Sequence, residues 1–263
     1  MEMGIKDRVA LVAASSRGLG LAIARGLARE GVNLALCART AAALQAAAEQ
    51  IRSESGVKVL ARPVDVAIQD EVRQFVAEVE RRFGRLDICV ANAGGPPAKN
   101  FAETTIEDWR AAADLNLMST VYLAKETLPL MQRQNWGRFI AITSLAVKQP
   151  IDGLILSNSI RSAVSGLIKT LANEYGPHGI LVNNVCPGYI ATDRLGEVSR
   201  RMAAAAGADP TAIQERWSQG SALKRLGRPE ELADLVVFLA SERASYITGS
   251  ALAVDGGLLK SVY

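Results

Sequence analysis

Short apolar runs alternate with longer stretches of helical periodicity along almost the whole chain. β-Branched and aliphatic runs predict strands near Val9–Ala13, Asn33–Ala38, Lys58–Arg62, Leu86–Ala91, Gly137–Thr143, Ile180–Cys186 and Ala251–Val254. Between them, apolar positions recur at three- and four-residue intervals, predicting helices over Ala41–Arg52, Asp70–Phe83, Ile106–Leu115, Thr120–Arg133, Leu154–Tyr175 and Glu230–Leu239. Gly227-Arg228-Pro229-Glu230 reads as a helix start, with proline in the first turn where its missing N–H costs little. Strands this apolar must be covered on both faces. The pattern therefore predicts an α/β protein: a doubly wound parallel sheet in a three-layer α/β/α sandwich, with ligands at the carboxyl ends of its strands.

Length and composition narrow this picture. No linker, charge block or internal repeat divides the 263 residues, so one domain over 1–263 is expected. The net charge is only +3, with basic residues scattered among acids, which predicts neither a nucleic-acid stripe nor a membrane-seeking polybasic segment. Cys37, Cys89 and Cys186 are far apart and lie in or at the ends of apolar runs, as suits buried thiols in a reducing compartment. The first residues lack the apolar core of a signal peptide, so a cytosolic (cytoplasmic) location is expected. His178 is the single histidine and no cysteine has a near partner at ligand spacing, so no metal site is expected and His178 reads as a loop residue.

The first strand-to-helix turn, Ser15-Ser16-Arg17-Gly18-Leu19-Gly20, carries the cofactor signal. Glycines there let the backbone approach a pyrophosphate, and the following helix points N–H groups at it. The second strand ends in Cys37-Ala38-Arg39-Thr40, without the acidic residue that would hold a ribose 2′-hydroxyl. Arg39 and Arg17 instead offer planar donors for a 2′-phosphate, which favours NADP(H) over NAD(H); the alternative is that both are solvated surface residues.

The run Leu11–Gly20, together with Ala91-Asn92-Ala93-Gly94, Asn116, Ile142-Thr143-Ser144 and Cys186-Pro187-Gly188, resembles the short-chain dehydrogenase/reductase family over nearly the whole chain. Within that family it is most similar to the 3-oxoacyl-(acyl carrier protein) reductases. The resemblance implies a Rossmann-like fold. It also implies that Asp65 and Val66 contact adenine, that Asn92, Ala93 and Gly94 line the ribose and nicotinamide, and that Pro187, Gly188, Ile190 and Thr192 flank the carboxamide. A mobile substrate lid around 195–225 and a homotetramer or homodimer are further implications of the resemblance. The chain departs from the family pattern at Ala13 and Ala14, where threonine and glycine are usual.

A larger departure concerns the chemistry. The family uses a serine to polarise the carbonyl, a tyrosine to donate the proton, a lysine beside it and an asparagine supporting a water. Ser144 and Asn116 match by motif, but Ser157 and Arg161 stand in the tyrosine and lysine places. Four residues apart on a helix, they share one face. An aliphatic hydroxyl and an arginine are both poor proton donors. By the resemblance Arg161 keeps positive charge near the cofactor ribose; it could also polarise an oxyanion or pair with a substrate carboxylate, and Tyr189 and Lys148 are the nearest other ionisable residues. Ser144 could also be a simple strand cap, and Ser157 with Arg161 a plain polar face. Trp217 and Met202 either cover a substrate or pack helices. Two functions follow from these readings. One is an NADP(H)-dependent oxidoreductase acting on a small-molecule carbonyl or secondary alcohol, such as an acyl thioester or keto acid, with an atypical site. The other is a catalytically silent NADP(H)-binding protein with a regulatory or scaffolding role.

Overall fold

The structure, a computed structural model, describes residues 2–261. Its strands are β1 (Val9–Ala13), β2 (Asn33–Ala38), β3 (Val59–Pro63), β4 (Ile88–Ala91), β5 (Gly137–Ile142), β6 (Ile180–Pro187) and β7 (Ala251–Val254). All pair in parallel, in the order β3-β2-β1-β4-β5-β6-β7. The helices are α1 (Gly18–Arg29), α2 (Ala41–Ser55), α3 (Gln69–Phe83), α4 (Ile106–Ala113), α5 (Ser119–Arg133), α6 (Ile155–Tyr175), α7 (Asp193–Ala206), α8 (Pro210–Gly220) and α9 (Pro229–Ala240).

Side-chain alternation explains the three layers. Along β1, Val9, Leu11 and Ala13 enter one core while Ala10 and Val12 enter the other; in β4, Cys89 and Ala91 oppose Ile88 and Val90 in the same way. Both faces of these two central strands are thus buried, which is why they read as unbroken apolar runs. Ile23 and Leu27 of α1, Leu44 of α2 and Val236 of α9 close one face; Phe75 of α3, Leu128 of α5 and Ile168 of α6 close the other. Helices α1 and α9 meet at Gly26, where a Cβ would stand 3.0 Å from Val237 Cγ2.

From β1 the chain winds outward through β2 and β3, then returns to place β4 on the other side of β1. The loops leaving β1 and β4 therefore diverge and open a crevice at the carboxyl edge. At the amino edge, the fully buried Asp87 accepts from Val9 N at 2.9 Å and is paired with Arg8 at 3.1 Å and Arg85 at 2.6 Å. Arg8 and Arg138 also stack on the Trp136 ring, at 3.8 and 4.1 Å from its centroid.

The expected helices over Ile106–Leu115 and Thr120–Arg133 are one continuous helical run, because a single π turn, Asp114–Met118, joins α4 to α5. Such a wider turn displaces side chains from the regular helical face and is frequent at functional sites; this one buries Asn116. Segment 195–225 is chiefly helical, formed by α7 and α8. His178 lies in a short 3-10 turn, within 2.9 Å of the Gln132 amide. All three cysteines are free and buried, and burial pushes the Cys37 and Cys89 thiols up to about 12. Among the described residues no helix is long and apolar enough to cross a membrane, and no group of His, Cys, Asp and Glu could hold a metal ion.

Candidate active site

A cleft of about 530 Å³ lies along the carboxyl edge, walled by the loops that follow β1 to β6. At the β1 end, Ser16, Arg17, Gly18 and Leu19 line it. Arg17 caps α1 in an extended conformation, with no side-chain cap bond and no acid in the first turn of the helix. The N–H groups of that turn are left for an anionic ligand. Gly20 lies under the cleft wall: a Cβ there would be 2.3 Å from the Ala14 carbonyl oxygen, so only glycine lets α1 start this close to β1. Ser15 is likewise buried behind the wall, its N–H donating to Cys37 O at 3.1 Å. Sequence reasoning placed Ser15 and Gly20 with the binding residues, whereas the structure has them shape the turn from beneath.

Arg39 projects, exposed, from the end of β2, and Asp65 and Val66 line the cleft beyond β3. The Asp65 carboxylate accepts from Ala67 N at 3.0 Å, which fixes that loop. Asn92 donates to Ala13 O at 3.2 Å, tying the β4 loop to β1; Ala93 and Gly94 continue the floor. Pro187, Gly188, Ile190 and Thr192 form the wall above β6, with Thr192 Oγ1 capping α7 by accepting from Leu195 N at 3.3 Å. Arg17 reaches across the opening to Asp193 at 3.6 Å, an exposed pair.

At the other end, β5 delivers Ser144. Thr143 Oγ1 donates to Asn184 Oδ1 at 2.6 Å, and Asn184 donates on to Ser165 of α6 at 2.7 Å, which anchors the strand end. Ser144 Oγ accepts from Ala146 N at 3.1 Å, a cap that occupies an acceptor site and leaves the hydroxyl proton available. Ser157 and Arg161 line the same end from one face of α6. Ser157 Oγ makes no hydrogen bond among the described residues, whereas Arg161 is closely held: Nη1 donates to Ile142 O at 2.9 Å and Thr143 O at 2.7 Å, and Nη2 to Gly94 O at 3.4 Å. No acid pairs with it among the described residues. Burial, reinforced by the positive charge of Arg194, lowers its pKa to about 10, so it stays cationic at neutral pH. Asn116 lies just beneath, its amide donating to Gly94 O at 2.8 Å while its buried Oδ1 has no partner.

Two candidates for the acid do not reach this end. Tyr189 turns away to stack on Trp217, with ring centroids 4.6 Å apart and planes 15° apart, and lines a separate cavity of about 150 Å³. Its hydroxyl is raised in pKa by burial. Trp217 is thereby a packing residue. Lys148 lies on the loop past Val147, outside the cleft lining. Sequence reasoning missed Gly95, Pro96, Leu154 and Arg194, all of which line the cleft. They belong to no motif, and a single arginine at a helix start has no pattern to mark it.

A doubly wound sheet, a glycine turn leading into an uncapped helix at its switch point, and a polar cluster at the other end of the same cleft define a nucleotide-dependent oxidoreductase. The chain belongs to the short-chain dehydrogenase/reductase family: the family model described as enoyl-(acyl carrier protein) reductase matches residues 13–259. A 3-oxoacyl-(acyl carrier protein) reductase of Aquifex aeolicus is 32% identical over 98% of this chain and 100% of its own. A putative ketoacyl reductase of the monensin polyketide synthase from Streptomyces virginiae is 37% identical over 96% of this chain and 97% of its own. The crystal structure of L-sorbose reductase from Gluconobacter frateurii, complexed with NADPH and L-sorbose, superposes with a TM-score of 0.94 at 37% identity, covering 100% of both chains. Oxidoreductase chemistry with a nicotinamide cofactor follows from that membership.

Proposed function

We propose that this protein is an NADP(H)-dependent carbonyl reductase that works without a phenolic acid. One observation carries the reading. Ser144, Ser157 and Arg161 converge on one end of the cleft, with the Ser144 proton free and the buried Arg161 cation paired with no acid among the described residues. Arg17 and Arg39 would hold a 2′-phosphate, Asp65 and Val66 the adenine, Ser16, Gly18 and Leu19 the pyrophosphate, and Asn92, Ala93, Gly94, Pro187, Gly188, Ile190 and Thr192 the nicotinamide half. The uncapped turn at Gly18 and the missing acid after β2 fit that cofactor. When bound, it supplies the hydride.

The chain's own residues manage the oxygen. Ser144 donates its proton in a hydrogen bond to the carbonyl oxygen, and Arg161 provides fixed positive charge for the oxyanion that develops. A water in the cleft beside Ser157 then protonates that oxygen, while Asn116, beneath the lining, holds the Gly94 carbonyl. The resulting hydroxide passes to solvent. Losing a positioned acid costs about 10²- to 10⁴-fold, so turnover is slow. Residues 195–225, carrying α7 and α8, serve as the substrate lid. Family membership supports a homotetramer or homodimer.

A catalytically silent NADP(H)-binding protein is the second reading, favoured by one observation: Arg161 Nη1 is already bound to two strand-end carbonyls. NADPH oxidation, with NADH as control, across β-keto thioesters, keto acids and small ketones separates the two. Measurable turnover is expected, raised about 10²- to 10⁴-fold by Ser157→Tyr with Arg161→Lys, which returns the phenol and its amine. Tight NADPH binding with no turnover by the unaltered chain establishes the silent reading.

A further inference from the structure

We infer that the catalytic end of the cleft is built for a substrate that carries a carboxylate, gripped by Arg194 of α7 beside Arg161 of α6. This rests on the cleft being a substrate site, as the reductase reading has it, but not on turnover. The two guanidiniums bracket the short segment Gly94-Gly95-Pro96. Arg161 Nη2 donates to Gly94 O at 3.4 Å, and Arg194 Nη2 to Pro96 O at 2.5 Å. Between them, a Cβ on Gly95 would stand 3.1 Å from Arg194 Nη2, so the missing side chain makes the room the guanidinium occupies.

These two cations share little negative charge. Of the acids on the cleft wall, neither Asp193, which turns toward Arg17, nor Asp65, which caps its own loop at the β3 end, bonds Arg161 or Arg194. Only Glu197 touches either guanidinium, 3.5 Å from Arg194 Nη1, in a pair exposed on both sides. An exposed pair at that distance neutralises little. Arg161 pairs with no acid among the described residues, and the charge of Arg194 already weakens its hold on its proton. Two like charges facing one partly water-excluded space repel, and an anion between them relieves both. A planar guanidinium fork matches a carboxylate in two parallel hydrogen bonds, and Arg194 Nε is uncommitted. The cofactor phosphates do not meet this need, since the proposed site for them is at the α1 end of the cleft.

Calorimetric titration into the full-length protein saturated with NADP⁺ tests the inference without any turnover. The probes are acetoacetate and levulinate, each against its uncharged ethyl ester. Both acids are expected to bind at least about 10-fold more tightly than their esters, a ratio typical of one charge-assisted contact. Arg194→Gln is expected to erase that preference and Arg194→Lys to keep part of it, with thermal melting confirming that each variant is folded. Equal affinity of acid and ester, no binding of either acid, or a preference that survives Arg194→Gln overturns the inference. Tight binding of acids that are never reduced leaves the inference standing and removes the reductase reading. Reduction of neutral ketones with no preference for charge does the opposite.

Discussion

Ala14 holds its backbone at φ +49° where the cleft wall turns from β1 into α1. An L-residue in that left-handed conformation costs about 1–2 kcal/mol relative to glycine, offset by the roughly 0.5–1 kcal/mol of extra freedom that glycine loses on folding. Ala14→Gly is therefore expected to stabilise the fold by about 1 kcal/mol or less. It also removes a methyl group from the cleft wall, so the NADPH dissociation constant should fall a few-fold in a fluorescence titration. Weaker binding would mean that the methyl is itself a contact. Arg161 makes a second prediction. Its pKa, lowered to about 10 chiefly by burial, leaves it charged through the neutral range, and the charge is lost only as pH rises through that value. The Michaelis constant for a keto acid should stay level from about pH 6 to 9 and climb toward 10. A break near neutrality would place the anion on some other group. Cys37 and Cys89, with thiols near 12 because they are buried, should ignore a thiol reagent at pH 8 until the protein unfolds.

At the scale of elements, the two edges of the sheet do different work. The carboxyl edge holds Ser144, whose place is set by the Thr143–Asn184–Ser165 chain that links β5, β6 and α6. The amino edge holds Asp87, buried with Arg8 and Arg85 as partners and accepting the Val9 N–H. Asp87→Ala would strip a buried N–H of its acceptor and break charge-assisted bonds, costing about 2–3 kcal/mol in a denaturant titration. Because the cleft is at the far edge, NADPH affinity should be unchanged. A matching loss of affinity would show that the two edges are coupled. The π turn at Asp114–Met118 belongs to the same scale. Helical periodicity in the sequence stops near Leu115 and resumes at Thr120, which is legible as a break, but only the fold shows that the break is a widened turn that aims Asn116 under Gly94.

For the whole molecule, all seven strands were legible in the chain: β1 and β4 are buried on both faces and apolar throughout, and the others keep short apolar runs around polar positions such as Arg62, Arg138 and Asn183-Asn184. The Gly18–Gly20 turn was legible because a positive φ at Gly18 and close backbone approach at Gly20 both demand glycine. What motif reading assigned by position was less secure: Ser15 and Gly20 lie behind the cleft wall, and Tyr189, next to Gly188, faces another cavity. Adjacent residues on an extended loop diverge, so nearness in sequence does not place a side chain in a site. Arg194 is the converse case, distant in the chain from Gly95 yet packed against it. By itself the sequence determined the α/β class, the layers, the position of the glycine turn and the sharing of one helix face by Ser157 and Arg161, since each is a local property of residue type and spacing. The tertiary structure alone decided that, among the described residues, Arg161 is a buried cation without an acid and Asn116 Oδ1 lacks a partner, and that Arg194 adds its charge near Arg161. Charge balance and hydrogen-bond satisfaction depend on which distant segments meet, and that is settled only when the sheet winds.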